Sequence, residues 1–208
     1  MGVIARSGHP VSPSLQLDER DGWPADLRVL LERYPREVWP QHANLGETAR
    51  FWLARHDMFR ELGATLGKAT DDLRDDRLPA DRFRSFFAPR LQFFLGNLEE
   101  HHHVEDLHYF PVFRAAESRL IRGFDVLEGD HAAIHGEIGA VVESANSLLR
   151  RMESDPDSRR AATATYADAS ARLLKSLMRH LDDEEDLIMP VILDRGEGAL
   201  FSGHANSG

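Results

Sequence analysis

The sequence predicts an all-α protein. An up-down-up-down antiparallel four-helix bundle spans residues 45–194, after an extension over 1–44 with a short helix and before a flexible tail over 195–208. Three observations predict it. Four long segments carry apolar residues at spacings of three and four, the period of a helix with one buried stripe. Short polar or proline-bearing stretches separate them, so successive helices must fold back on one another. The chain has 208 residues, 42% of them apolar, which suits one helical domain with its own core.

Residues 1–22 are polar and punctuated by His9-Pro10, Ser12-Pro13 and Asp21-Gly22, which predicts an extended, poorly ordered leader. Pro24 to Tyr34 reads as a short helix with proline at its first position. Pro35 and Pro40 break the next stretch, and His42 lies in that irregular segment. Trp23 and Trp39 are too large to leave exposed without reason, so the extension is expected to cap an end of the bundle or to supply a homodimer contact.

The first long helix is expected over residues 46–68, with Ala49, Trp52, Leu53, His56, Phe59 and Gly63 on its inner stripe. Gly63 and Gly67 either end it or allow close packing. Residues 69–80 are charged and read as a solvated connection closed by Pro79. The second helix covers residues 81–111, with Pro89 as a kink or a true start. Phe87, Leu91, Phe94, Leu98, His101, Glu105 and His108 form its stripe, while His102 and His103 fall off that face. After a connection over 112–121, the third helix runs over 122–152. Leu127, His131, Ile134, His135, Ile138, Val141 and Val142 share one side. Ser154-Asp155-Pro156 marks a turn. The fourth helix runs over 158–192 on Tyr166, Leu173, Leu177, His180, Glu184 and Leu187. His204 sits in the Gly/Ser-rich tail.

Net charge is −10 and no basic run exceeds two or three residues, which argues against nucleic acid and against an anionic membrane surface. No stretch approaches the roughly 20 apolar residues of a membrane span. With no apolar stretch near the N-terminus either, a cytoplasmic protein is expected. The absence of cysteine excludes disulfides, thiolate metal sites and thiol catalysis, so any metal is held by nitrogen and oxygen.

Histidine is the outlier, with eleven in the chain, mostly in separate clusters. His101 and Glu105 are four apart and Pro111 comes six residues later; His180, Glu184 and Pro190 repeat that spacing. Residues four apart share a helix face, so each pair offers an imidazole and a carboxylate to one point. His131 and His135 repeat the spacing with two imidazoles. Alone on its apolar stripe His56 reads first as a core histidine, while His108 reads equally as a surface residue or as one that hydrogen-bonds a ligand or lines an entry route. Asp130 either orients a ligand or faces water. In a bundle, His56, His101, Glu105, His131, His135, His180 and Glu184 fall at comparable depth. Buried without partners, each would cost roughly 1–3 kcal/mol. A dinuclear metal centre would satisfy them. Five imidazoles, two bridging carboxylates and a bridging hydroxide leave one coordination position of two six-coordinate ions open for a small ligand.

These residues resemble the hemerythrin family, the HHE cation-binding domain. The matching features are His56, then His101, Glu105 and Phe110-Pro111, then His131 and His135, then His180, Glu184 and Pro190, over roughly residues 45–194. The resemblance implies a four-helix bundle and a non-haem di-iron centre, two oxo- or hydroxo-bridged iron ions. In the oxygen-carrying members the last carboxylate is an aspartate five residues after its histidine. Here Glu184 stands at four and Glu185 at five; Glu184 is the favoured ligand and Glu185 the reserve. Dioxygen storage, delivery or sensing is the function implied first. An enzyme acting on peroxide, nitric oxide or another oxidant is the second, and a bundle that stores or buffers metal the third.

Overall fold

The computed structural model describes residues 15–201. The leader up to residue 14, with His9, and the tail from 202, with His204, lie outside the described residues. Among the described residues six α-helices carry the fold: α1 (Glu47–Arg74), α2 (Ala80–Val104), α3 (Phe110–Ala116), α4 (Ile121–Arg150), α5 (Pro156–Arg195) and α6 (Glu197–Phe201). A π turn, Glu105–Tyr109, joins α2 to α3. No strand occurs among the described residues. The helices α1, α2, α4 and α5 are 28, 25, 30 and 40 residues long. They pack α1 on α2, α2 on α4, α4 on α5 and α5 on α1, so four seams close on one another.

Local chemistry explains where the helices start and stop. Asp155 caps α5 by accepting from the Ser158 amide at 2.9 Å, with Pro156 at the first helical position. Gly196 ends α5 at φ +79°, a left-handed conformation that disfavours a side chain. The N-terminus of α1 has no cap of its own. Glu197 of α6 reaches it, accepting from the Thr48 and Ala49 amides at 3.2 and 2.8 Å. The expected tail therefore does not begin at residue 195: α6 is anchored there, and Leu200 is buried.

Three other expectations change. The first helix runs on to Arg74, because Leu73 is buried and Lys68 pairs with Asp72 at 2.6 Å, one turn on. The second passes Pro89 unbroken; Pro89 is exposed, so the carbonyl it frees faces water. It also continues beyond Pro111, by way of the π turn in which the Phe110 amide donates to the Glu105 carbonyl. That extra residue turns His108 outward and brings Phe110 and Phe113 into the core. Gly63 allows close packing: a methyl there would lie 2.6 Å from Leu174 Cδ2 of α5.

The extension is docked from residue 15 onward. Its helix is only a 3-10 turn, Ala25–Leu27, followed by hydrogen-bonded turns and a second 3-10 segment, Arg36–Gln41. Trp23, Leu27, Leu30, Trp39 and Leu45 are buried, and Trp23 Nε1 donates to the Asp183 carbonyl of α5 at 2.7 Å. Arg20, expected in a loose leader, is buried between Asp130 and Asp183.

Two apolar blocks divide the interior. One contains Phe59, Leu98, Ile134, Leu177 and Leu181; the other contains Trp52, Phe110, Leu127, Leu187 and Ile188. On each long helix the histidines and glutamates of interest lie between them.

Candidate metal centre

His56 comes from α1, His101 and His102 from the end of α2, Glu105 from the start of the π turn, His131 from α4, and His180 and Glu184 from α5. All seven are buried. Their donor atoms form two groups: His56, His101, Glu105 and Glu184, and His102, His131 and His180. In the first, His56 Nε2 lies 3.0 Å from His101 Nε2 and 3.4 Å from Glu184 Oε2, and His101 Nε2 lies 3.1 Å from Glu105 Oε1. In the second, His131 Nε2 and His180 Nε2 are 3.1 Å apart, and the His102 ring stacks on His131 at 4.1 Å. The carboxylates reach across. Glu105 Oε2 is 3.7 Å from His131 Nε2, and Glu184 Oε2 is 3.6 Å from His180 Nε2.

The remote ring nitrogens of three of these histidines face carboxylates. Asp106 Oδ1 lies 2.8 Å from His131 Nδ1, and Asp130 Oδ2 lies 3.5 Å from His180 Nδ1. A carboxylate acceptor draws the imidazole proton to Nδ1 and leaves Nε2 as a bare lone pair. Two such lone pairs then face each other at 3.1 Å, a geometry that favours a cation or a shared proton between them. Glu185 does the same for His56, with Oε1 at 3.0 Å from Nδ1. Burial would raise Glu185, but His56 and Arg60 hold it down at about 2. Arg36 adds a contact at 2.8 Å. Trp52 Nε1 donates to Glu105 Oε1 at 2.6 Å and fixes that carboxylate.

His102 Nε2, Glu105 Oε2 and both Glu184 oxygens are buried with no hydrogen-bond partner. Burial pushes the Glu105 carboxyl up to about 8. Burial, and then the neighbouring Glu105 charge, push Glu184 well above the carboxylate range. Burial lowers His56, His101, His102 and His180. Without a cation, burial favours the protonated form of both carboxyls. A divalent ion would reverse that preference and complete the orphaned donors, so the residues fit a metal.

Six of the seven residues read from the sequence as donors are brought together; His135 is not. Its side chain is 72% exposed, with Nδ1 3.7 Å from Glu99 Oε1. The buried stripe of α4 runs Leu127, His131, Ile134, Ile138, Val141, and His135 lies roughly a quarter turn off its centre. His102 replaces it, although the helical stripe predicts that it faces away. The signal is Leu95, seven residues before His102 and also buried, which widens the inner face of α2. His103 is exposed as expected. His42 accepts from the Asn44 amide at 3.2 Å within its own turn. Glu185 orients His56, and Asp130 faces His180 rather than water.

Fold and donor set together define a helical protein with His/Glu clusters able to hold metal cations. The family model of the hemerythrin HHE cation-binding domain matches residues 48–201, which includes α6. The chain belongs to that family. No curated protein and no solved structure matches it significantly. No helix among the described residues is long and apolar enough to cross a membrane.

Proposed function

We propose that this is a non-haem di-iron protein that takes up dioxygen, or a small ligand of similar size, at one open position of the buried centre, for oxygen storage, delivery or sensing. The observation that carries this reading is the unequal division of imidazoles. His102, His131 and His180 stand on one side and His56 and His101 on the other, with Glu105 and Glu184 reaching both. If each cation takes six ligands, His102, His131 and His180 with Glu105, Glu184 and a solvent oxygen would complete the first side. The second side is one donor short, and that is where a ligand binds. When bound, ferrous iron supplies the electrons that hold dioxygen reversibly.

The chain's own part is to place donors and keep water out. Asp106, Asp130 and Glu185 hold protons on the remote imidazole nitrogens. Phe110 stacks on His131 at 5.3 Å and Phe59 lies against His101 at 5.2 Å, which shields those two rings on their apolar sides. The two apolar blocks support the up-down-up-down antiparallel bundle. Trp52 precedes His56 and Phe59, whereas on α2 Leu98 precedes His101 and Phe110; α4 repeats the first order and α5 the second.

Metal analysis of the purified chain with spectra in air and under argon tests the reading. Two irons per chain and visible charge-transfer bands that come with oxygen and leave under argon are expected. A colourless zinc protein would replace the reading with metal buffering. Bands that bleach irreversibly while peroxide is consumed would replace it with an oxidant-processing enzyme.

A further inference from the structure

The four seams of the bundle are not alike. Arg55 of α1 bonds Asn97 of α2 across the first, at 3.2 Å. Arg60 of α1 pairs with Asp182 and Glu185 of α5 across another, at 2.9 and 2.8 Å. Arg20 sits between Asp130 of α4 and Asp183 of α5 in the third. A cation approaching the donors through any of these meets a guanidinium.

The seam between α2 and α4 is different. It holds a cavity of about 770 Å³ whose lining, among the described residues, has carboxylates and imidazoles but no lysine or arginine. His102 and His131, two of the three imidazoles of one donor group, line it. His102 is 6% exposed and its Nε2 has no partner. Asp106 links wall to centre through its 2.8 Å contact with His131 Nδ1. Glu99 and Glu100 line the α2 side, and His135 the α4 side. Glu99 Oε1 and His135 Nδ1 stand 3.7 Å apart across the groove. Glu128, also in the lining, is already paired with Arg114 at 2.6 Å.

We propose that this groove is the route by which divalent cations load the centre, with Glu99 and His135 as its outer pair of donors. The proposal rests on the metal-centre reading and adds a role for the His131-x3-His135 spacing. One histidine belongs to the resident site and the other passes the cation toward it. Water-facing carboxylates raise the local cation concentration, and a lone exposed His–Glu pair binds too weakly to retain the ion.

The test tracks metal uptake by the metal-free full chain mixed with Co²⁺, or with Fe²⁺ under argon, read by absorption and by metal analysis after chelator quench. The groove variant is Glu99→Gln/Glu100→Gln/His135→Ala. A control, Glu143→Gln/Asp168→Asn, removes two exposed carboxylates that do not line the groove. The groove variant is expected to load about tenfold more slowly than wild type and reach the same final content, while the control loads at the wild-type rate. Equal rates for the groove variant would overturn the route. So would the same slowing in the control, which would reduce the effect to net charge. A lower final content in the groove variant would also overturn it by placing those residues in the resident centre. A wild-type chain that takes up no metal would instead remove the reading beneath it.

Discussion

Arg20 Nη2 lies 2.5 Å from Asp130 Oδ2, a buried ion pair between residues 110 positions apart. The same Asp130 oxygen is 3.5 Å from His180 Nδ1, so the extension reaches a candidate metal ligand through one carboxylate. Arg20 Nε also holds Asp183 at 2.7 Å, and Trp23 holds the Asp183 carbonyl.

Removing one partner of a buried pair strands the other charge. Arg20→Met is expected to cost about 3 kcal/mol, because among the described residues Asp130 has no second arginine or lysine in ion-pair contact. Asp183 retains Arg179 at 2.5 Å, which limits its share of the loss. Urea denaturation measures it. A loss under about 1 kcal/mol would mean that the extension contributes little to holding the fold.

The metal-free chain has a predictable stability profile. Its Glu105 carboxyl is raised from 4.5 to about 8. Between those values the folded state binds a proton that the unfolded state has lost, so this group's contribution to stability falls as pH rises from 4.5 to about 8, and the net loss is expected above about 6.5, where the histidines no longer oppose it. His56, His101, His102 and His180 are lowered, so the unfolded state binds more protons below about 6.5, and stability falls again on acidification. With metal bound, the alkaline loss should vanish, because the cation favours the ionised carboxylate. Thermal melting with and without chelator between about pH 6 and 8.5 measures this. Parallel profiles would show that the carboxyls do not meet the cation.

His102 is buried beside the other donors and His135 is exposed, the reverse of what their spacing suggested, and metal content distinguishes them. His102→Ala and Glu105→Ala are expected to fall well below two ions per chain, while His103→Ala and His135→Ala stay at the wild-type equilibrium value. Full content in His102→Ala would return that histidine to a packing role.

Much of the molecule was legible because helical periodicity is local. The stripes through Trp52 and Phe59, Phe94 and Leu98, Leu127 and Ile134, and Leu177 and Leu187 can be read within one segment at a time. His56, His101, Glu105, His131, His180 and Glu184 lie on those stripes, and each is placed by its own neighbours. The π turn was less legible: a proline six residues after Glu105 signals a change, but not that the chain absorbs it by adding a residue to one turn.

By itself, then, the sequence determined the helical class, the four inner stripes and a donor set without sulfur, since these come from spacing and composition. Only the tertiary structure decided between His102 and His135, because each lies near the edge of its stripe and the neighbouring helix selects which edge is covered. It also seated Arg20 on Asp130 and Asp183, and Glu197 on the start of α1. Those contacts join residues more than a hundred positions apart, and no local pattern encodes a pairing that exists only once the helices have closed on one another.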